Sequence, residues 1–136
     1  MLTISIHGQP SFAYPYFTGF TDEKGEDAGL GFNVNFPLPE KISYEYYTKT
    51  LGKALKLIQD FEPDYLIVAL GFDTAKGDPT GTWDFTQTNF LATGKVIGSI
   101  NTPILIVQEG GYKNQSLGSN AKAFFNGFYQ SHSKIS

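Results

Sequence analysis

Apolar and polar positions alternate along this chain in patterns that change character several times. Residues 2–7 alternate Leu2, Ile4 and Ile6 with Thr3, Ser5 and His7, the period of a strand, and Thr and Ser are tolerated inside sheets. From Ser43 the period lengthens. Tyr44, Tyr47, Leu51, Ala54, Leu55 and Ile58 recur at helical spacing, with Ser43 able to cap the helix and Glu45 placed to complement its dipole. Pro63 predicts that this helix ends near Asp60. Residues 65–70 then form an unbroken apolar run, too short for a helix, which reads as a central parallel strand buried on both faces. Thr86 can cap a second helix carrying Phe90, Leu91 and Ile97, weakened by Gly94 and Gly98. Residues 104–107 are a second continuous apolar run, ending in the turn Glu109-Gly110-Gly111-Tyr112. A last helix over 116–129 places Leu117, Ala121, Phe124, Phe125 and Phe128 on one face. The tail from Ser131 is polar, with fraying expected.

The segment from Gly8 to Pro39 shows neither period. Five aromatics fall within residues 12–20 and four glycines within 19–31, so it is expected to be a long loop. Long structureless loops in compact domains are usually functional, which makes this one a candidate wall of a binding site. The GLGF stretch within it is not followed by a helix, so it lacks the rest of a dinucleotide fingerprint. The order strand, loop, helix, strand, helix, strand, helix predicts an α/β fold with a mostly parallel sheet flanked by helices. Parallel strands deliver their carboxyl ends to one side. Loops beginning at His7, Gly71 and Glu109 should therefore converge at one edge, where open α/β sheets carry their chemistry.

Composition narrows the picture. With 136 residues, 40% of them hydrophobic, the chain suffices for one ordinary domain and is too short for two, so residues 1–136 are expected to form a single unit. A net charge of -3 offers no footprint for nucleic acid. No cysteine is present, which excludes disulfides and thiolate metal sites. No run approaches the roughly 20 apolar residues that span a bilayer, and the opening MLTISIHG is strand-like rather than signal-like. The expectation is a soluble, cytoplasmic protein with neither nucleic-acid nor membrane partner.

Asp73 leaves the central strand at its carboxyl end and can serve as a hard oxygen ligand, a base or a loop cap. Tyr112 offers a phenolic donor after two glycines that let backbone approach a ligand. Asp78 and Glu109 add carboxylates nearby, although Asp78-Pro79 also reads simply as a turn. His7 lies on a strand and His132 in the tail, and no two histidines show metal-ligand spacing. No serine sits in a nucleophile elbow. The residues alone thus offer one metal-capable carboxylate and one electrophilic phenol without a general base.

The segments LGFDTAKGDPTG, EGGY and SIHGQPSFAYPYFTGF resemble, in order and over most of the chain, the zinc-dependent deacetylase superfamily of histone deacetylases and acetylpolyamine amidohydrolases. The stretch TDEKGEDAGLGFNVNFPLP, and EGGY followed by LGSN, are closer to the acetylpolyamine and class II branch than to class I. The resemblance implies part of the arginase/deacetylase fold and hydrolysis of N-acetylated amines, such as acetylpolyamines or acetyl-lysine, at an open zinc site. It implies Asp73 as a zinc ligand and Tyr112 as the catalytic oxyanion donor. Tyr14 would be an aromatic wall of the acyl tunnel, Gly111 would lie beside the substrate, and Ser5 would be a ligand of a structural potassium ion.

The departures from the family pattern are equally specific. Thr80 occupies the substrate-facing position where some polyamine-selective members carry an acidic residue, which puts polyamine selectivity in doubt. The tandem histidines and the DxDxH segment of the family lie upstream of the part matched. The chain is therefore expected to be the C-terminal half of a deacetylase domain, truncated at its N-terminus and inactive by itself. The alternative is a non-catalytic fragment acting as a homo-oligomer or paired with a complementary N-terminal fragment.

Overall fold

In the computed structural model, which describes residues 1–132, the chain divides into two compact units, Met1–Glu62 and Pro63–Ser136. Each is built on one pair of parallel strands.

In the first unit β1 (Thr3–Gly8) pairs with β2 (Asn33–Leu38). Their connection is irregular apart from a short 3₁₀ turn at Asp27–Gly29. Helix α1 (Tyr44–Phe61) follows and lies against β1, burying Leu51 and Ala54. The Ser43 hydroxyl accepts the Tyr46 N–H at 3.1 Å, as the capping residue predicts, and Glu62 closes the helix in the left-handed region at φ 51°. Strand β2 corrects the expectation of an unbroken loop. Val34, Phe36 and Leu38 do alternate with Asn33, Asn35 and Pro37, but two asparagines and a proline are poor strand formers and hide the period. Proline is tolerated here because β2 pairs only with β1 and so lies at an edge of the ladder.

In the second unit β3 (Leu66–Leu70) pairs in parallel with β4 (Ile104–Gln108), Leu66 opposite Ile104 and Leu70 opposite Gln108. Helix α2 (Gln87–Gly98) lies between them in sequence and packs against α3 (Asn114–His132). Phe72, Phe90 and Phe124 make the centre of this core, with ring centroids 5.3 and 6.4 Å from Phe72. Gly94 and Gly98 have a reason to sit in a helix that they weaken. A side chain at Gly94 would collide with the Phe124 carbonyl, and one at Gly127 with the Leu91 carbonyl, so glycine sets how closely α2 and α3 approach. Ser131 and His132 belong to α3 rather than to a frayed tail, and the remainder of the tail lies outside the described residues.

Two further expectations are corrected. The strands form two separate parallel ladders rather than one sheet, so the chain end at His7 belongs to a different ladder from those at Gly71 and Glu109. Nor is β3 buried on both faces: Ile67 is 67% exposed and its partner Leu105 58%. Among the described residues no helix is long and apolar enough to cross a membrane.

Candidate functional site

The parallel pairing of β3 and β4 brings the loops that follow them together, and the hydrogen bonding continues past the strand ends. The Glu109 N–H donates to the Leu70 carbonyl at 3.0 Å and the Phe72 N–H to the Gly110 carbonyl at 2.8 Å. Asp73 is thereby set directly beside Gly110. A Cβ on Gly110 would sit 2.5 Å from Asp73 Oδ2, and one on Gly71 2.8 Å from Oδ1, so the carboxylate occupies space that only glycine leaves free. Burial pushes the Asp73 carboxyl above its ordinary pKa. Its own backbone N–H opposes this, the Asp78 charge adds to it, and the Thr74 N–H opposes it again.

Tyr112 ends this glycine turn with its side chain 57% exposed. Gly111 adopts φ 132°, a conformation side chains rarely take, and a Cβ there would press on Phe72 and Leu117. The turn is fastened by Asp78, which is only 5% exposed. Asp78 Oδ2 accepts the N–H groups of Tyr112 at 2.7 Å and Lys113 at 3.0 Å. Its Oδ1 accepts the N–H and the hydroxyl of Thr80, at 3.0 and 2.9 Å. Burial raises the Asp78 carboxyl, but the Thr80 and Tyr112 N–H groups, the Thr80 hydroxyl and the Lys113 N–H outweigh it and hold the pKa below the ordinary value. The Lys113 ammonium adds a bond to the Lys76 carbonyl at 2.9 Å. Thr80, expected to face substrate, thus directs its hydroxyl proton to Asp78. Glu109 is exposed.

Ser5 and Tyr14 belong to the first unit, where both line an open hollow of about 320 Å³ together with His7, Glu23, Asn33 and Asn35. The Gly19 carbonyl can only accept, so His7 Nε2 donates to it at 2.9 Å, and in the neutral ring Nδ1 accepts the Ser5 hydroxyl at 2.7 Å. Asn33 and Asn35 donate to the carbonyls of Glu23 and Phe20, at 2.6 and 3.0 Å. Glu23 accepts the Gly19 N–H and the Thr18 hydroxyl, and these hold its carboxyl below the ordinary pKa. The strands of this unit thereby tie down the aromatic loop, on which Tyr14 is 86% exposed.

The structure therefore brings Asp73, Thr80, Gly111 and Tyr112 together, and keeps Ser5 and Tyr14 with the first ladder. Sequence reasoning missed the part played by Asp78. A carboxylate before Pro79 reads as a local turn, and nothing in a linear sequence reveals bonds to residues 34 and 35 positions away. As a metal centre the described residues are incomplete. Asp73 has the chemistry of one hard ligand, but no group of three His, Cys, Asp or Glu side chains capable of holding a metal occurs among the described residues.

This chain has counterparts among known proteins. The histone deacetylase domain profile matches residues 1–128, and the chain belongs to that family. It is 43% identical over 128 residues to an acetylpolyamine amidohydrolase of Burkholderia pseudomallei, an alignment covering 94% of this chain and 38% of the relative. A second relative, acetylpolyamine amidohydrolase 2 of Pseudomonas aeruginosa, is 40% identical, with 97% of this chain and 38% of the relative covered. The crystal structure of acetylpolyamine aminohydrolase from Burkholderia pseudomallei superimposes with a TM-score of 0.93 at 42% identity, covering 96% of this chain and 38% of that one. The chain thus spans well under half the length of these relatives.

Proposed function

We propose that this chain carries part of the site of a zinc-dependent deacetylase acting on N-acetylated amines such as acetylpolyamines or acetyl-lysine. The observation that carries the reading is the junction of Asp73 and Tyr112 at the adjoining ends of β3 and β4, in a chain whose relatives are named as amidohydrolases and deacetylases.

In this reading Asp73 is one ligand of the metal. Its carboxylate loses solvation in the fold, so a neighbouring cation would stabilise the charged form. When bound, the zinc would polarise the acetamide carbonyl and acidify a water. The phenol of Tyr112 donates a hydrogen bond to the carbonyl oxygen as negative charge develops on it, a contribution on the order of 10²- to 10³-fold in rate for one such donor. Gly111, at φ 132°, carries Tyr112 out of the turn beside the substrate. Ser5 is the candidate for a potassium site. The other metal ligands and the general base come from outside the described residues.

The isolated chain should therefore release no acetate from acetyl-lysine peptides or acetylpolyamines and retain no stoichiometric zinc by elemental analysis. Robust turnover by the chain alone would overturn the reading that it holds only part of the site. A second reading, a fragment that functions by self-association or by pairing with a complementary N-terminal fragment, is favoured by the exposed Tyr65, Ile67, Leu105 and Val107 on one face of the second ladder. Light scattering that shows a monomer at high concentration would count against it.

A further inference from the structure

We infer that Asp78 is a positioning residue for Tyr112: its buried carboxylate fixes the tyrosine turn to the loop that bears Asp73, and so sets the spacing of the two groups. The inference rests on the reading of Tyr112 as oxyanion donor, but its structural content stands apart from any activity.

The geometry is that of a clamp with one centre. Both oxygens of Asp78 are used, one on each loop: Oδ1 on Thr80 in its own turn, Oδ2 on the Tyr112 and Lys113 N–H groups across the gap. Asp78 is in turn held to the Asp73 side, because its N–H donates to the Ala75 carbonyl at 3.0 Å and the Ala75 N–H to the Phe72 carbonyl at 3.1 Å. A continuous hydrogen-bonded path thus runs from the residue preceding Asp73 to the backbone of Tyr112. The Tyr112 residue is itself largely exposed; the Asn114 N–H holds its carbonyl at 3.1 Å and the Phe72 N–H holds the Gly110 carbonyl at 2.8 Å, while Asp78 holds its amide side and that of Lys113. Bonds from amide N–H to an ionised carboxylate are short and roughly twice as strong as neutral ones, which suits a single group to this task.

The test is nuclear magnetic resonance of the full chain, comparing wild type with Asp78→Asn and Thr80→Val. Amides bonded to a carboxylate resonate downfield and exchange slowly. In Asp78→Asn the Tyr112 and Lys113 amide protons should move upfield and exchange at least about tenfold faster, a change expected from loss of one charge-assisted bond, while the amides of Phe90 and Phe124 stay protected. Thr80→Val removes only one bond to Oδ1 and retains the fold if Asp78→Asn does not; it should shift the same two amides by a smaller amount. Unchanged Tyr112 and Lys113 amides in both variants would overturn the inference, and so would a uniform loss of protection through the core in both, which would make Asp78 a general structural residue. Neither outcome bears on whether Tyr112 acts as an oxyanion donor; Tyr112→Phe in a catalytically competent assembly decides that separately.

Discussion

The two units solve the same problem by opposite means. Each ends a parallel strand in a loop that must be held still. In the first unit the restraint is spread over several side chains, with His7, Asn33 and Asn35 each reaching one loop carbonyl and Glu23 closing the loop on itself. In the second unit it is concentrated in one buried carboxylate, Asp78, and in backbone contact across Gly110 and Gly111. A distributed restraint loses a little with each substitution, whereas a concentrated one loses most of itself at a single position. The second arrangement also leaves Asp73 only partly compensated by its own N–H and that of Thr74, a cost to folding that a functional group commonly carries.

This contrast can be broken most readily at Asp78. Asp78→Ala leaves buried donors without a partner and should destabilise the second unit by about 3 kcal/mol, read in urea from the fluorescence of Trp83, the single tryptophan. A loss no larger than that of a first-unit variant would remove the distinction. Asn35→Ala should cost about 1 kcal/mol, seen as faster amide exchange confined to the residues near Phe20, with the rest of the loop still held by His7 and Glu23.

Acid sharpens the comparison through sign. Asp78 has a lowered folded pKa, so its contribution is complete above the unfolded carboxylate value near 3.8 and is lost as pH falls through the folded value. Asp73 has a raised folded pKa, so its ionised form opposes folding at neutral pH, and that opposition begins to be relieved as pH falls through the raised value and is gone below the unfolded value near 3.8. Asp73→Asn should therefore raise the urea midpoint at pH 7 while Asp78→Asn lowers it. A lowered midpoint for both would contradict the reading that ionised Asp73 opposes folding. The smallest effect belongs to exposed ion pairs. Glu45→Gln, which removes the bridge to Lys49 at 2.8 Å, should change stability by no more than about 0.5 kcal/mol in either unit.

How much of this was legible follows from which interactions are local. The caps at Ser43 and Thr86, the positions of β3 and β4, and helix α3 with Phe124 buried are properties of neighbouring residues and read correctly, whereas the burial of β3 on both faces and of Phe125 in the α3 stripe did not hold. So did the strand ends that carry Asp73 and Tyr112. Strand β2 was obscured because Asn33 and Asn35 serve the loop through their side chains, so their polarity reports a tertiary role instead of a loop. The glycines of α2 looked like defects because their value lies in a partner helix. Asp78 was read as a turn because its bonds to Tyr112 and Lys113 are visible only in three dimensions. The assumption of one sheet failed for a related reason: the order of strands along the chain does not say which strands share a ladder.

The central claim is that Tyr112 of this chain serves acetamide hydrolysis beside a metal held in part by Asp73. It is tested most directly by coexpressing the chain with the portion of the Burkholderia pseudomallei relative that it does not span, and measuring acetate release from an acetylpolyamine with and without Tyr112→Phe. The account predicts turnover that falls by about 10²- to 10³-fold in the variant; turnover that is equal in both would contradict it.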